Sequence, residues 1–402
     1  MEKGIVSILI AFAVYYQGTE AQVQAPRIVC YYTNWAQYRT GGGQFLPTDI
    51  NAEMCSHVVY AHAGINLNYS IRSTEWNDLP SDNSPGMYPQ IISLKNQNPE
   101  LKVLLSVGGF ALSPSFTFLV QSKLTRDIFI VSALRYLREW GFDGIDIMWE
   151  YPTRRGSKLD DRQKFTSFIE ELRDAINSEA IVTKLQPLIL SASVSAAKMV
   201  IDDAYDIVDI VEAVDFVNIM SYDFTGHWDG WTGHHAPLYQ NPEEVGPFTF
   251  NNVNRSVLYW VEQGAPPYKV NVGMSPYART YTIESNNETV PGVRSVGPGR
   301  AGAITQEPGG LAYYEVCNIA SDGEIFWDEI QRVPYMVLDD QWISFDNERS
   351  TLEKLEFIKR YDFGGVMLWN LPSDDFINSC GSGNFPMLTT IFEELVLKSV
   401  IP

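Results

Sequence analysis

Short apolar runs separated by helical stretches dominate the chain from residue 27 onward. Arg27–Thr33 (RIVCYYT), Ser56–Ala61 (SHVVYA), Lys102–Val107 (KVLLSV) and Asp143–Trp149 (DGIDIMW) read as β-strands, followed by Leu188–Val194, Asp215–Ser221, Lys269–Met274 and Gly364–Trp369. Between the third and fourth runs, Ile130, Ala133, Leu134 and Leu137 fall at helical spacing, with Thr125 as the expected N-cap and Gly141 just past the end. Phe165, Phe168, Ile169, Leu172 and Ile176 mark the next helix. Strands alternating with helices predict a parallel sheet, and eight strands can close it into a (β/α)8 TIM barrel, an α/β fold. The gap between the seventh and eighth runs is too long for one helix. Its Gly-, Pro- and Tyr-rich sequence, with strands expected at Leu311–Val316 and Tyr335–Ser344, predicts a small α+β insertion over 277–347, leaving the barrel to 27–276 and 348–395.

Within this pattern, Phe142–Pro152 (FDGIDIMWEYP) stands out. As a strand it puts Gly144, Asp146, Met148 and Glu150 on one side and Ile145, Ile147 and Trp149 on the other. One side is apolar, while the other carries two acids around a methionine. Acids among apolar neighbours are costly unless paired or used, and Glu150 lies at the C-terminal end of its strand, where barrel enzymes keep their chemistry.

With 402 residues, 45% of them hydrophobic, the chain has ample core for one large barrel. Its 29 basic against 49 acidic residues, a formal charge of −20, argue against nucleic acid or an anionic membrane surface as partner. The opening Met-Glu-Lys, the apolar Ile5–Tyr16 and Thr19-Glu20-Ala21 form a secretory signal peptide over 1–21, which predicts an extracellular, disulfide-permissive location. In that setting Asn68-Tyr69-Ser70, Asn254-Arg255-Ser256 and Asn287-Glu288-Thr289 are glycosylation sequons. Four cysteines, Cys30, Cys55, Cys317 and Cys380, allow three pairings, of which short range favours Cys30–Cys55 and Cys317–Cys380. His227, His234 and His235 share one loop without a third well-placed ligand, so no metal and no cofactor is expected. The basic residues Arg154, Arg155 and Lys158 read as a solvated loop.

DGIDIMWEYP resembles the signature of family-18 glycoside hydrolases, the chitinases and chitinase-like lectins, whose pattern is Asp-Gly-x-Asp-x-Asp-x-Glu, often continuing Tyr-Pro. Asp143, Gly144, Asp146, Glu150, Tyr151 and Pro152 fit it, whereas Met148 replaces the third aspartate. The resemblance spans nearly all of Arg27–Phe385 and implies the same disulfide pairing. It also implies substrate-assisted chemistry, with Glu150 as the acid and the substrate's own N-acetyl oxygen as the attacking group. The carboxylate that orients that acetamido group is missing at Met148; Asp146, roughly 6–7 Å away along the strand, is a partial substitute or, as the more ordinary role of such a residue, a buried acid satisfied by hydrogen bonds within the barrel.

The remaining roles carry over residue by residue. Tyr32, or its neighbour Tyr31, lines the pocket, and Trp35 stacks on sugar. Met220-Ser221-Tyr222-Asp223 is similar to the Met-x-Tyr-Asp motif, whose tyrosine holds the N-acetyl group and whose aspartate meets a hydroxyl. Tyr277 and Arg279 follow the seventh strand at sugar-binding positions, Glu307 matches a cleft acid of the insertion, and Trp369 floors the reacting subsite. Two further departures fall in the same pocket: His62 stands where the family has phenylalanine, and Phe110 where it has tryptophan.

These expectations define a secreted chitinase-like protein that binds chitin or N-acetylglucosamine oligomers with hydrolysis weak or lost. The alternatives are an active retaining endochitinase, and a signalling or growth-factor-like protein with a vestigial cleft and a protein receptor as partner. Losing one preorganised electrostatic stabiliser costs roughly 10²–10³ in turnover, a fraction of the ~8–23 kcal/mol enzymes supply.

Overall fold

The computed structural model describes residues 25–285 and 289–398; the expected signal peptide and the sequon at Asn287 lie outside them. Seven parallel strands come first: β1 (Arg27–Thr33), β2 (His57–Ile65), β3 (Lys102–Gly108), β4 (Gly144–Met148), β5 (Ile189–Ser195), β6 (Phe216–Met220) and β7 (Val270–Met274). A second sheet then intervenes, built from β8 (Tyr277–Ile283), β9 (Ser295–Pro298), β10 (Gly310–Ala312), β11 (Glu324–Asp328), β12 (Val333–Leu338) and β13 (Gln341–Ser344). The last barrel strand, β14 (Gly365–Leu368), pairs with β7 on one side and β1 on the other, and β1 also pairs with β2, so the eight parallel strands close.

The strands' two-residue period separates two cores. Ile28, Cys30, Tyr32, Val58, Tyr60, Ile145, Ile147 and Trp149 point outward, into the layer that packs under the helices. Val29, Tyr31, Val59, Leu104, Met148, Phe216 and Met367 point into the barrel. Helix α1 (Lys123–Trp140) lays Phe129, Ile130, Ala133 and Leu137 on the outer layer, and α2 (Asp161–Thr183) adds Phe165, Phe168, Ile169, Leu172 and Ile176. The N-cap of α1 is Ser122 rather than Thr125: the Ser122 hydroxyl accepts the Thr125 N–H at 3.2 Å, because Ser122 has the extended backbone a cap needs. Gly141 ends the helix in the left-handed conformation (φ 78°), as expected.

The second sheet departs from the sequence reading in two places. Leu311–Val316 is not one strand, since after β10 the chain enters α3 (Tyr313–Ile319). The Glu315 carboxylate favours this by accepting the N–H of Ala312, the residue that caps the helix, and it also holds the preceding loop through the N–H groups of Ile304 and Thr305. Tyr335–Ser344 is a hairpin of β12 and β13, reversed at Asp339, whose positive φ of 52° suits so tight a turn. The chain then enters α4 (Glu348–Arg360), whose Lys354 is fully buried against Asp346 at 2.5 Å. Disulfides join Cys30 to Cys55 and Cys317 to Cys380; the second ties α3 to the segment after β14.

The barrel interior also holds a polar chain. Arg27 Nε donates to Asn271 Oδ1 (3.0 Å), Asn271 Nδ2 to Asn218 Oδ1 (2.9 Å) and Asn218 Nδ2 to the Tyr31 hydroxyl (2.9 Å). Tyr31 lies 2.7 Å from the Ser193 hydroxyl, which donates to Asp146. Buried polar groups must be satisfied, and this chain satisfies them in sequence.

Candidate functional site

A cleft of about 840 Å³ opens at the C-terminal ends of the strands, where the βα loops of such barrels gather. It brings together Trp35, His62, Phe110, Met148, Glu150, Met220, Tyr222, Asp223, Arg279, Glu307 and Trp369. Tyr277 borders an adjoining recess of about 210 Å³ that shares Trp35, Asp223, Arg279, Glu307 and Trp369.

Two of the expected site residues lie elsewhere. Tyr32 faces outward from β1 and packs against Phe45 and Tyr60, so it does not line the pocket. Its neighbour Tyr31 takes the inward position forced by strand alternation and contacts Trp369, ring centroids 5.3 Å apart. Asp146 is fully buried and is not among the cleft-lining residues. Its oxygens accept from Ser191 (2.8 Å), Ser106 (2.9 Å) and Ser193 (3.1 and 3.2 Å), leaving Met148 as the residue of β4 that faces the cleft.

Glu150 is fixed from behind. Its backbone N–H donates to the Ser113 hydroxyl at 2.7 Å, and the Gly109 N–H donates to the Met148 carbonyl at 2.8 Å. Gly108 (φ 113°) permits this stitch, for a Cβ there would lie 2.2 Å from the Met148 oxygen. Desolvation pushes the Glu150 carboxyl up to about 7, opposed by the positive Arg155 and assisted by the negative Asp223. Such a group is protonated in a large part of the molecules near neutrality and can deliver its proton.

Asp223 is in the opposite state. Burial alone would raise its carboxyl, but the charge and hydrogen bonds of Arg279 outweigh burial and hold it well below the usual carboxylate range. Arg279 grips it in two parallel bonds of 2.7 Å each. Glu307 reaches the same guanidinium at 3.7 Å. Among the described residues the hydrogen-bond partner of the Tyr222 hydroxyl is the Met367 sulfur, at 3.6 Å, a weak partner that leaves it available to a ligand.

The floor is aromatic. Trp35, His62 and Trp369 form a fan, with His62 centroids 5.9 Å from Trp35 and 5.7 Å from Trp369. Flat apolar faces of this kind suit the apolar side of a sugar ring. Phe110 is 65% exposed at the rim and carries the Arg155 guanidinium 3.7 Å above its face. Trp228, absent from the expected set, also lines the cleft, with Arg279 5.5 Å from its ring. Its only sequence signal is a tryptophan in the Gly-rich loop Gly226–Gly230. Among the histidines of that loop region, His234 pairs with Asp328 at 3.3 Å and His235 lies 3.6 Å from Asp223.

A closed eight-stranded barrel with a protonatable glutamate at the end of the fourth strand and tryptophans on the cleft floor is a glycoside-hydrolase scaffold. Residues 27–374 match the model of "Glycosyl hydrolases family 18", and the chain belongs to that family. It is 39% identical over 380 residues to chitotriosidase-1 of Mus musculus, covering 94% of this chain and 80% of that protein. It is 36% identical over 375 residues to chitinase-3-like protein 2 of Homo sapiens, covering 92% and 93%. Among solved structures it is similar to human YKL-39, described as a pseudo-chitinase with retained chitooligosaccharide binding (TM-score 0.87, 36% identity, 92% of this chain and 100% of that one). It is likewise similar to a Group IV chitinase of Ostrinia furnacalis in complex with allosamidin (TM-score 0.86, 37% identity, 93% and 99%). Chitinases and chitinase-like proteins thus both stand among its relatives. No helix among the described residues is long and apolar enough to cross a membrane.

Proposed function

We propose that this protein is a secreted chitinase-like lectin that holds chito-oligosaccharides in the cleft and hydrolyses them weakly or not at all. The observation that carries this reading is Met148 in the cleft with Asp146 turned to three serines behind it. Substrate-assisted hydrolysis needs both a proton donor and an anion or acceptor beside the acetamido group. Glu150 supplies the first. A thioether supplies neither charge nor a strong acceptor, and the other cleft aspartate, Asp223, is neutralised by Arg279. Tyr222, Trp35 and Trp369 remain to bind sugar.

A second reading, a slow retaining endochitinase, is favoured by the Glu150 carboxyl, which is already held near 7. Titration with chitotetraose, together with release from a chromogenic oligomer, separates the two. We expect binding without measurable turnover in the natural protein, and turnover raised by ~10² in Met148→Asp. Turnover in the natural protein that vanishes in Glu150→Gln establishes the endochitinase instead, and absence of binding removes both sugar readings.

A further inference from the structure

We propose that His62 Nε2 is an unprotonated hydrogen-bond acceptor in the floor of the cleft and selects ligands that present an O–H or N–H donor to it; the inference rests on the oligosaccharide reading above. The tautomer follows from counting protons along the buried network. The hydrogen bonds from the Arg27 guanidinium to Tyr31 run toward Asp146, and because the single Ser193 proton goes to that carboxylate, Tyr31 donates across its 2.7 Å contact with Ser193, which makes Asp146 the terminal acceptor. Ser106 reaches the same carboxylate, and its single proton is engaged there, Oγ to Oδ2 at 2.9 Å. His62 Nδ1 lies 3.1 Å from the same Ser106 oxygen. With the serine proton already placed, this contact forms only if Nδ1 carries the hydrogen and donates it. A second ring proton would charge an imidazole that is only 6% exposed, and desolvation pushes its titration down to about 3. Nε2 therefore keeps its lone pair.

The position of that lone pair gives it a role. Gly109 packs over the face of the ring at its Nε2 end, where a Cβ would lie 2.3 Å from Nε2, so the left-handed glycine (φ 76°) spares the ring a side chain there and leaves its edge to the cleft that His62 lines. His62 lines the cleft, and none of the hydrogen bonds among the described residues uses Nε2. Its neighbours there, Trp35, Trp369 and Met148, offer stacking surface and no hydrogen-bond acceptor of comparable strength. A ligand seated on the tryptophans that covers Nε2 without donating to it leaves a desolvated acceptor unpaired, whereas one that donates is favoured.

Nitrogen NMR on protein labelled at histidine, alone and saturated with chitotetraose, tests this, alongside calorimetry on His62→Phe and His62→Gln. We expect the free protein to show Nδ1 protonated and Nε2 bare, and the Nε2 resonance to shift on binding, with the same shift in Glu150→Gln. His62→Phe should weaken chitotetraose about tenfold, and His62→Gln, which keeps an acceptor, should recover part of the loss. A shift of one ligand acetamido N–H that His62→Phe abolishes identifies the donor as the amide; an unmoved amide identifies a hydroxyl. A protonated Nε2 in the free protein, or tight binding that leaves Nε2 unmoved, overturns the inference alone. No binding of chitotetraose to the natural protein overturns the oligosaccharide reading and this inference with it.

Discussion

Burial holds the Glu150 carboxyl up to about 7, against 4.5 for the free side chain, so the fold favours its protonated form. The corresponding stability is complete below about pH 4.5 and is lost as pH rises through about 7. Glu150→Gln, a neutral isostere, should therefore match the natural protein at about pH 4 and exceed its stability by on the order of 3 kcal/mol at about pH 8, as read from denaturant melts at the two pH values. Trp35, Met148, Glu150, Tyr222, Asp223 and Trp369, all of which line the cleft, were singled out by the resemblance to a known signature, not by any periodicity of the chain. Two adjacent tyrosines were not resolved the same way. Strand register alone separates Tyr31 from Tyr32, and no local property of either residue sets that register. Nor did the strand pattern around Asp146 reveal the three serines on β3 and β5 that take it out of the cleft. Trp228 escaped notice because a loop tryptophan carries no periodicity.

At the scale of elements, all eight barrel strands could be read from the sequence, since each run places apolar residues at a two-residue period on the face that packs under the helices. The inserted sheet was harder to read. Leu311–Val316 has the composition of a strand, yet from Tyr313 on it is α3, whose first turn is capped by the Glu315 carboxylate on the Ala312 amide, a contact no periodicity shows. Similarly, α4 carries a buried ion pair to Asp346, eight residues before Lys354, that no periodicity shows. Lys354 lies wholly inside, its ammonium 2.5 Å from Asp346 and its own titration lowered by desolvation against the pull of that aspartate. Removing one member of such a pair strands the other, so Lys354→Ala should cost about 3–5 kcal/mol, while Lys354→Met combined with Asp346→Leu should recover much of it. Thermal or urea unfolding of the single and double variants checks both.

Across the whole molecule, the insertion is joined to the barrel at more than its two chain ends. Cys317 in α3 is bonded to Cys380 beyond β14, closing a loop of 63 residues in sequence separation. Loop-closure entropy assigns such a bridge on the order of 4 kcal/mol, so Cys317→Ser with Cys380→Ser should lower the unfolding free energy by about that amount in a urea titration. Arg279 on β8 grips Asp223 after β6, a further tie between insertion and barrel at the cleft itself. The wall that carries Arg279 and Glu307 is thus held in place before any sugar arrives. On the oligosaccharide reading proposed above, a long flexible glycan would surrender its own torsional freedom on entering, whereas a wall tied down in this way has little of its own to surrender, so the entropic penalty of association would fall mainly on the guest.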